Sequence, residues 1–269
     1  MYVIFTDLDG TLLDFDTYSF ERAEEVLAYI REQNIPLVVV TSKTATEVQQ
    51  IIKDLNISHP FVVENGGGIY FPENYPGDFP RIQKADGYYI VTLVKPDIKP
   101  ADVLNEISSK IGIRLQGFSH LSVEDIVFLT GLSIEEAGKA KQRHFSEPFI
   151  LPPGKSDIKK IIRLSKAYNF KIVIGGRFAH LIPKNSGKGD AVKILLRFYQ
   201  ELFTGQPIIS IGLGDSPNDF DFLSATDISI VIRNRQQIQK FVRKRLIQSQ
   251  KFGVDGWAEE VKKIIYPKL

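Results

Sequence analysis

Two carboxylates two residues apart, Asp7 and Asp9, stand where the apolar run Tyr2–Thr6 gives way to Gly10. A carboxylate can attack phosphorus to form an aspartyl phosphate, and a second carboxyl beside it can protonate the leaving oxygen and later draw a proton from water. A strand end that needs only a backbone cap calls for one acidic group, and two unpaired charges there are costly to bury. A second acidic segment, Gly214-Asp215-Ser216-Pro217-Asn218-Asp219, follows the apolar residues Ile208–Ile211. Mg²⁺ takes oxygen ligands, commonly one or two carboxylates plus waters and a substrate phosphate. Asp7 and Asp215 fit that requirement, with Asp219 behind them. Thr41-Ser42 ends one apolar run and precedes a helical pattern, and Lys188 in Ser186-Gly187-Lys188-Gly189-Asp190 stands at another helix start. Hydroxyls, free amides and an ammonium at such places hold phosphate. The Gly212-Leu213-Gly214 element lacks the third glycine of a dinucleotide fingerprint.

These residues must be brought together by the elements that carry them. Tyr2–Thr6 reads as a buried strand, 20–33 as a helix, 36–41 as a strand, 44–55 as a helix and 61–64 as a strand ending in Asn65-Gly66-Gly67-Gly68. The alternation predicts an α/β fold: a parallel sheet with helices on both faces, binding its ligand at the carboxyl ends of the strands. Asp7, Thr41 and Asn65 fall at that edge. Pro72, Pro76, Gly77 and Pro80 interrupt the pattern. We expect a core of residues 1–83 and 184–269, with an inserted α+β cap over 84–183. Within the cap, 88–94 is strand-like, 100–111 helical, 123–144 largely helical, 149–151 a strand, 157–168 a helix and 171–182 a bent hairpin. The parallel pattern resumes with a helix at 188–203, a strand at 208–212, a helix at 218–225 and a strand at 228–232. Helices at 236–246 and 257–265 close the chain.

Composition narrows the partners. The 269 residues carry 34 Lys+Arg against 32 Asp+Glu, a net of +2, so no global field draws nucleic acid or anionic lipid. With no cysteine there is no disulfide, thiolate metal site or cysteine nucleophile. Acidic residues inside the first apolar stretch argue against a signal peptide, and no apolar run reaches the roughly 20 residues that span a bilayer. The expected setting is cytoplasmic.

The motifs Asp7-x-Asp9, Thr41, Lys188 and Gly214-Asp215-x-x-Asn218-Asp219 occur in the order, and along the whole length, that resembles a haloacid dehalogenase (HAD) superfamily phosphatase of the Cof-like, C2-capped type. The resemblance implies a Rossmannoid core with Mg²⁺ as cofactor. It makes Asp7 the nucleophile, Asp9 the general acid/base, and Thr41 and Lys188 the phosphate holders. The metal set it suggests is Asp7, Asp9 and Asp215, supported by Asn218 and Asp219. Where relatives usually carry Thr-Gly-Arg, this chain has Thr41-Ser42-Lys43, so Ser42 is expected to share the phosphate. Residues 142–149 and 175–181, with Thr130-Gly131-Leu132 and the Glu64-Asn65 turn, resemble cap signatures of the mannosyl-3-phosphoglycerate phosphatase family. That likeness implies hydrolysis of a phosphorylated sugar-glycerate to mannosylglycerate, a compatible solute, and phosphate. Arg143, Glu147, Arg177 and His180 supply the cations and polar groups that such a substrate needs. Glucosyl-3-phosphoglycerate or another sugar phosphate, a phosphomutase reaction and a non-catalytic phosphosugar module are the competing readings.

Overall fold

The structure, a computed structural model, describes residues 1–81, 83–93, 98–175, 177–234 and 246–266. The chain runs β1 (Tyr2–Thr6), α1 (Glu24–Glu32), β2 (Leu37–Val39), α2 (Ala45–Asp54), β3 (Phe61–Val63), β4 (Gly68–Pro72), β5 (Gln83–Ala85) and β6 (Tyr88–Thr92). Then come α3 (Pro100–Ile111), α4 (Val123–Thr130), α5 (Ile134–Ala140), β7 (Glu147–Phe149), α6 (Lys155–Ala167), β8 (Phe170–Ile174) and β9 (Ala179–Pro183). It closes with α7 (Lys188–Leu202), β10 (Ile209–Gly214), α8 (Phe220–Leu223), β11 (Ile228–Arg233), β12 (Leu246–Phe252) and α9 (Gly253–Ile265).

Val3, Ile4 and Phe5 are all buried because β1 lies inside a sheet covered on both faces. Its neighbours are β10 and β2, and the parallel order is β12-β11-β10-β1-β2. One apolar cluster joins Ile4, Leu27, Val39 and Trp257 on one face. The other joins Val3, Phe5, Val38, Leu195 and Tyr199. Helix-bearing layers on both sides of a parallel sheet are the expected architecture.

A single parallel bridge, Val40 to Val62, carries the sheet on to β3, where it turns antiparallel through β4, β6 and β5. Here the structure moves the expected boundary. β6 pairs with β4 over Gly68–Pro72, and Ile90 belongs to the core cluster, so residues 84–92 pack with the first lobe rather than with the cap. The cap's own sheet is β7-β9-β8, antiparallel, with Val103, Leu104, Ile107 and Ile161 of α3 and α6 packed on it. The 171–182 hairpin appears as β8 and β9, and the helix expected over 123–144 is two helices broken at Gly131, whose φ is +79°. The expected helix over 236–246 lies almost wholly outside the described residues; its last residue, Leu246, instead opens β12.

Candidate active site

Every strand of the parallel sheet ends at one edge, and β1 and β10 are adjacent there, so Asp7 and Asp215 meet. Asp7, Asp215 and Asp219 are buried, and each offers a carboxylate oxygen within 4.8 Å of the others. Lys188, at the first turn of α7, reaches between them: its Nζ donates to Asp7 Oδ1 at 2.7 Å and to Asp219 Oδ1 at 2.6 Å. The other oxygen of Asp219 accepts the backbone N–H groups of Asp215 and Ser216, both at 3.0 Å. Asp219 therefore shapes the loop and aims the lysine. Asp7 keeps Oδ2 as the oxygen outside the described hydrogen bonds.

Burial pushes the Asp7 carboxyl up to about 7 against the pull of Lys188, and Asp219 adds to the rise. Burial, then Asp219 and Asp7, likewise hold Asp215 well above the carboxylate range, although Asn234 donates to its Oδ2 at 2.5 Å. Burial alone would lower Lys188, but Asp219 and Asp7 outweigh it and raise its ammonium above the usual value. Three carboxylates against one ammonium leave excess negative charge in a dry place. A divalent cation on oxygen ligands fits that donor set, so Asp7 and Asp215 suit Mg²⁺.

Gly10 is a steric necessity. Its φ is +75°, and a Cβ there would stand 2.8 Å from Asp215 Oδ2. Beside this turn Asp9 lines the same cavity as Asp7 but stands outside the cluster of Asp7, Asp215 and Asp219. Asp9 Oδ2 lies 3.1 Å from Lys43 Nζ, and its Oδ1 is buried with no hydrogen-bond partner among the described residues. The expected metal set thus separates: the side chains of Asp7 and Asp215 converge, with Asp219 beside them, while that of Asp9 faces Lys43 and the cavity.

Thr41 is buried at the end of β2, and its hydroxyl accepts the Lys43 amide at 3.2 Å. Ser42, not Thr41, lines the cavity. That cavity, about 130 Å³, is walled by Asp7, Asp9, Ser42 and Lys43 below and by Phe118, Arg177 and His180 of the cap above. Asn218 reaches the same wall and donates to Asn65 Oδ1 at 3.0 Å.

The four cap residues divide. Arg177 is exposed at the rim, stacked 4.4 Å over the Phe15 ring and donating to the Thr130 carbonyl. His180 is buried, with Nδ1 unpartnered, and burial pushes it down to about 3, helped by Arg143 and Lys188. Glu147 turns away from the cavity to accept the Ser119 N–H and hydroxyl, both at 2.8 Å. Arg143 touches the cavity, yet its guanidinium is engaged: Nη2 donates to the Ser42 carbonyl at 2.6 Å, and Nε lies 3.7 Å from Glu64 Oε2.

Glu64, Asn65 and Lys43 also stand at the site, although in the sequence Glu64 and Asn65 read only as a strand-end turn with a cap-signature likeness and Lys43 only as a departure from Thr-Gly-Arg. Glu64 sits in a left-handed turn at φ 49° and accepts the N–H groups of His144, Phe145 and Ser146 at 2.9, 3.0 and 2.9 Å, clasping the cap to the core. The signal was the position of Glu64 and Asn65 at a strand's carboxyl end, before three glycines. A Cβ on Gly67 would stand 2.2 Å from that of Phe145, so the clasp closes only over a residue with no side chain.

The solved structures that resemble this arrangement share its architecture at low identity. A haloacid dehalogenase-like hydrolase from Bacillus subtilis matches with a TM-score of 0.68 at 18% identity, covering 98% of this chain and 100% of that one. The sucrose-phosphatase from Synechocystis sp. PCC6803, solved with sucrose and phosphate, matches with a TM-score of 0.65 at 16% identity, covering 97% and 96%. Two curated relatives are nearer in sequence, both named glucosyl-3-phosphoglycerate/mannosyl-3-phosphoglycerate phosphatase. The one from Persephonella marina is 41% identical over 264 residues, 98% of this chain and 97% of the relative. That from Methanococcoides burtonii is 33% identical over 267 residues, again 98% and 97%. Residues 4–256 match the haloacid dehalogenase-like hydrolase family. With its acidic strand ends, its lysine between two aspartates and its inserted cap, the chain belongs to the haloacid dehalogenase-like hydrolases.

Proposed function

We propose that this protein is a Mg²⁺-dependent phosphatase that hydrolyses mannosyl-3-phosphoglycerate, and glucosyl-3-phosphoglycerate with it, to the glycosylglycerate and phosphate. The observation that carries the reading is Lys188 fixing Asp7 Oδ1 at 2.7 Å on the floor of a cavity whose roof is the cap. The two relatives' names support the substrate class.

Asp7 Oδ2 attacks phosphorus as the ester bond to the glycerate oxygen breaks, giving an aspartyl phosphate. Asp9 gives the departing oxygen its proton, then takes one from the water that splits the acyl phosphate and restores Asp7. Lys188 and Ser42 hold the phosphoryl oxygens, so positive charge and a hydroxyl stand where negative charge spreads, while buried Thr41 braces the turn through the Lys43 amide. Mg²⁺, held by Asp7 and Asp215, would neutralise the carboxylate's repulsion of the dianionic ester. Asp219 and Asn218 position rather than react. The cap supplies Arg177 at the rim and neutral His180 within, where its unpartnered Nδ1 suits a sugar hydroxyl. The setting we favour is the cytoplasm; no described helix is long and apolar enough to cross a membrane.

The test is phosphate release by the purified chain with Mg²⁺ from mannosyl-3-phosphoglycerate, glucosyl-3-phosphoglycerate, mannose 6-phosphate and sucrose 6-phosphate. The reading requires the two phosphoglycerate glycosides to lead by at least tenfold in kcat/KM. A lead by either other ester removes it.

A further inference from the structure

Lys43 is a buried cation with no part in the reaction as derived. Its side chain is 9% exposed and stands between two cavities, the reaction cavity and a neighbouring one of about 160 Å³ against α2 and α5. Its ammonium is 3.1 Å from Asp9 Oδ2, 3.7 Å from Glu47 Oε1 and 5.1 Å from the Tyr18 ring centroid. Glu47 is fixed, because its Oε2 accepts the Thr44 N–H at 2.8 Å while Thr44 Oγ1 accepts the Glu47 N–H, a capping box at the start of α2. Asp9 is different. It is the group that has to face the ester oxygen, and here it faces the lysine.

If Asp9 turns away, Glu47 at 3.7 Å is the one described carboxylate left beside this buried ammonium, and the vacated place favours another anion. Phosphate is served by Lys188, so the replacement must be a second anion on the substrate. In a 3-phosphoglycerate unit the carboxylate carbon is separated from the ester oxygen by two carbons, so the two groups span only a few ångströms, the scale of the Lys43–Asp9 contact. Arg143 is otherwise engaged, donating to the Ser42 and Ala140 carbonyls and the Ser146 hydroxyl, and Arg177 lies on Phe15 at the rim, on the cap side of the cavity where the sugar is assigned. Resting on the phosphoglycerate reading above, we infer that Lys43 is the specificity-determining residue that takes the glycerate carboxylate, and that in doing so it releases Asp9 to the ester oxygen. A phosphate ester with no carboxylate leaves Lys43 on Asp9 and is a poor substrate for that reason.

The experiment compares wild type, Lys43→Met and Lys43→Arg, with Mg²⁺, on mannosyl-3-phosphoglycerate and on glycerol 3-phosphate, an alkyl phosphate without a carboxylate. Lys43→Met is expected to lower the ratio of kcat/KM between the two esters at least tenfold, with the loss on the glycoside carried mainly by KM. Lys43→Arg recovers most of it. Calorimetry of 3-phosphoglycerate on Asp7→Asn protein, with and without Lys43→Met, is expected to show at least tenfold weaker binding in the double variant, which reads recognition without turnover. An unchanged ratio, whether both activities fall or neither does, overturns the inference, as does equal binding by the two Asp7→Asn proteins. Wild type that prefers the glycosides while Lys43→Met keeps the preference sinks this inference alone. Wild type that hydrolyses neither glycoside sinks the functional reading and the inference together.

Discussion

The floor and the roof of the cavity are built on opposite plans. On the floor, Asp7, Asp219 and Lys188 are each at most 6% exposed and bonded to one another, and Asp215 is held by Asn234. These charges hold one another in place with no ligand bound, which is what the electrostatic preorganisation of the proposed phosphoryl transfer requires. In the roof, Glu147 and Arg143 have their contacts inside the protein, and Arg177 lies exposed at the rim. Two of the four polar cap groups thus hold the cap together or to the core, while Arg177 and His180 are the two we propose for the substrate.

Breaking the floor has the largest expected effect. Asp7→Asn is isosteric yet forms no acyl phosphate, and kcat should fall by roughly a thousandfold or more with the fold intact by circular dichroism. Asp9→Asn should cost about a hundredfold on a glycoside, and less on p-nitrophenyl phosphate, whose leaving group departs without a proton. Equal losses on both esters would remove its acid role.

The clasp joins floor and roof, so its loss should be felt by both. Arg143→Ala removes the donor to Ser42 O and the cation beside Glu64, and should lower stability by about 1–3 kcal/mol, read as a drop in Tm. Activity on glycoside and aryl ester should fall together. Arg177→Ala, at the rim, should instead narrow the preference for the glycoside by about tenfold with Tm unmoved, as a charged hydrogen bond to substrate is lost.

The smallest effect concerns His180. Its folded pKa of about 3 lies below the ordinary 6.5, so between those values the unfolded chain binds the extra proton. The stability this residue contributes is complete above about 6.5 and drains away as pH falls toward 3. Ring signals in an NMR titration should show His180 still neutral at pH 5. An imidazolium at that pH would mean that water reaches the roof.

Much of the floor was legible because its residues lie at the ends of apolar runs. A parallel strand buried on both faces reads as unbroken Val, Ile and Phe, so Tyr2–Thr6 announced both the strand and the edge on which Asp7 stands. β12 was not legible. Leu246–Phe252 is mostly exposed and polar, and an edge strand with one neighbour leaves no hydrophobic signature. The strand-like stretch 88–94 reads as cap because the proline-rich stretch before it resembles an exit, and β5 has no signature of its own. Their allegiance is settled by the pairing of β6 with β4, some twenty residues earlier in the chain.

The sequence by itself determined which acidic and basic groups stand at strand ends and helix starts, their order and the sheet edge that collects them, since short local patterns encode those boundaries. Tertiary structure alone decided the partners. Asp9 pairs with Lys43, Arg143 with Ser42 and Glu64, and Asp219 with Lys188. Each of those choices depends on distances between segments far apart in the chain, where a buried charge takes whichever counterion the packing brings within reach.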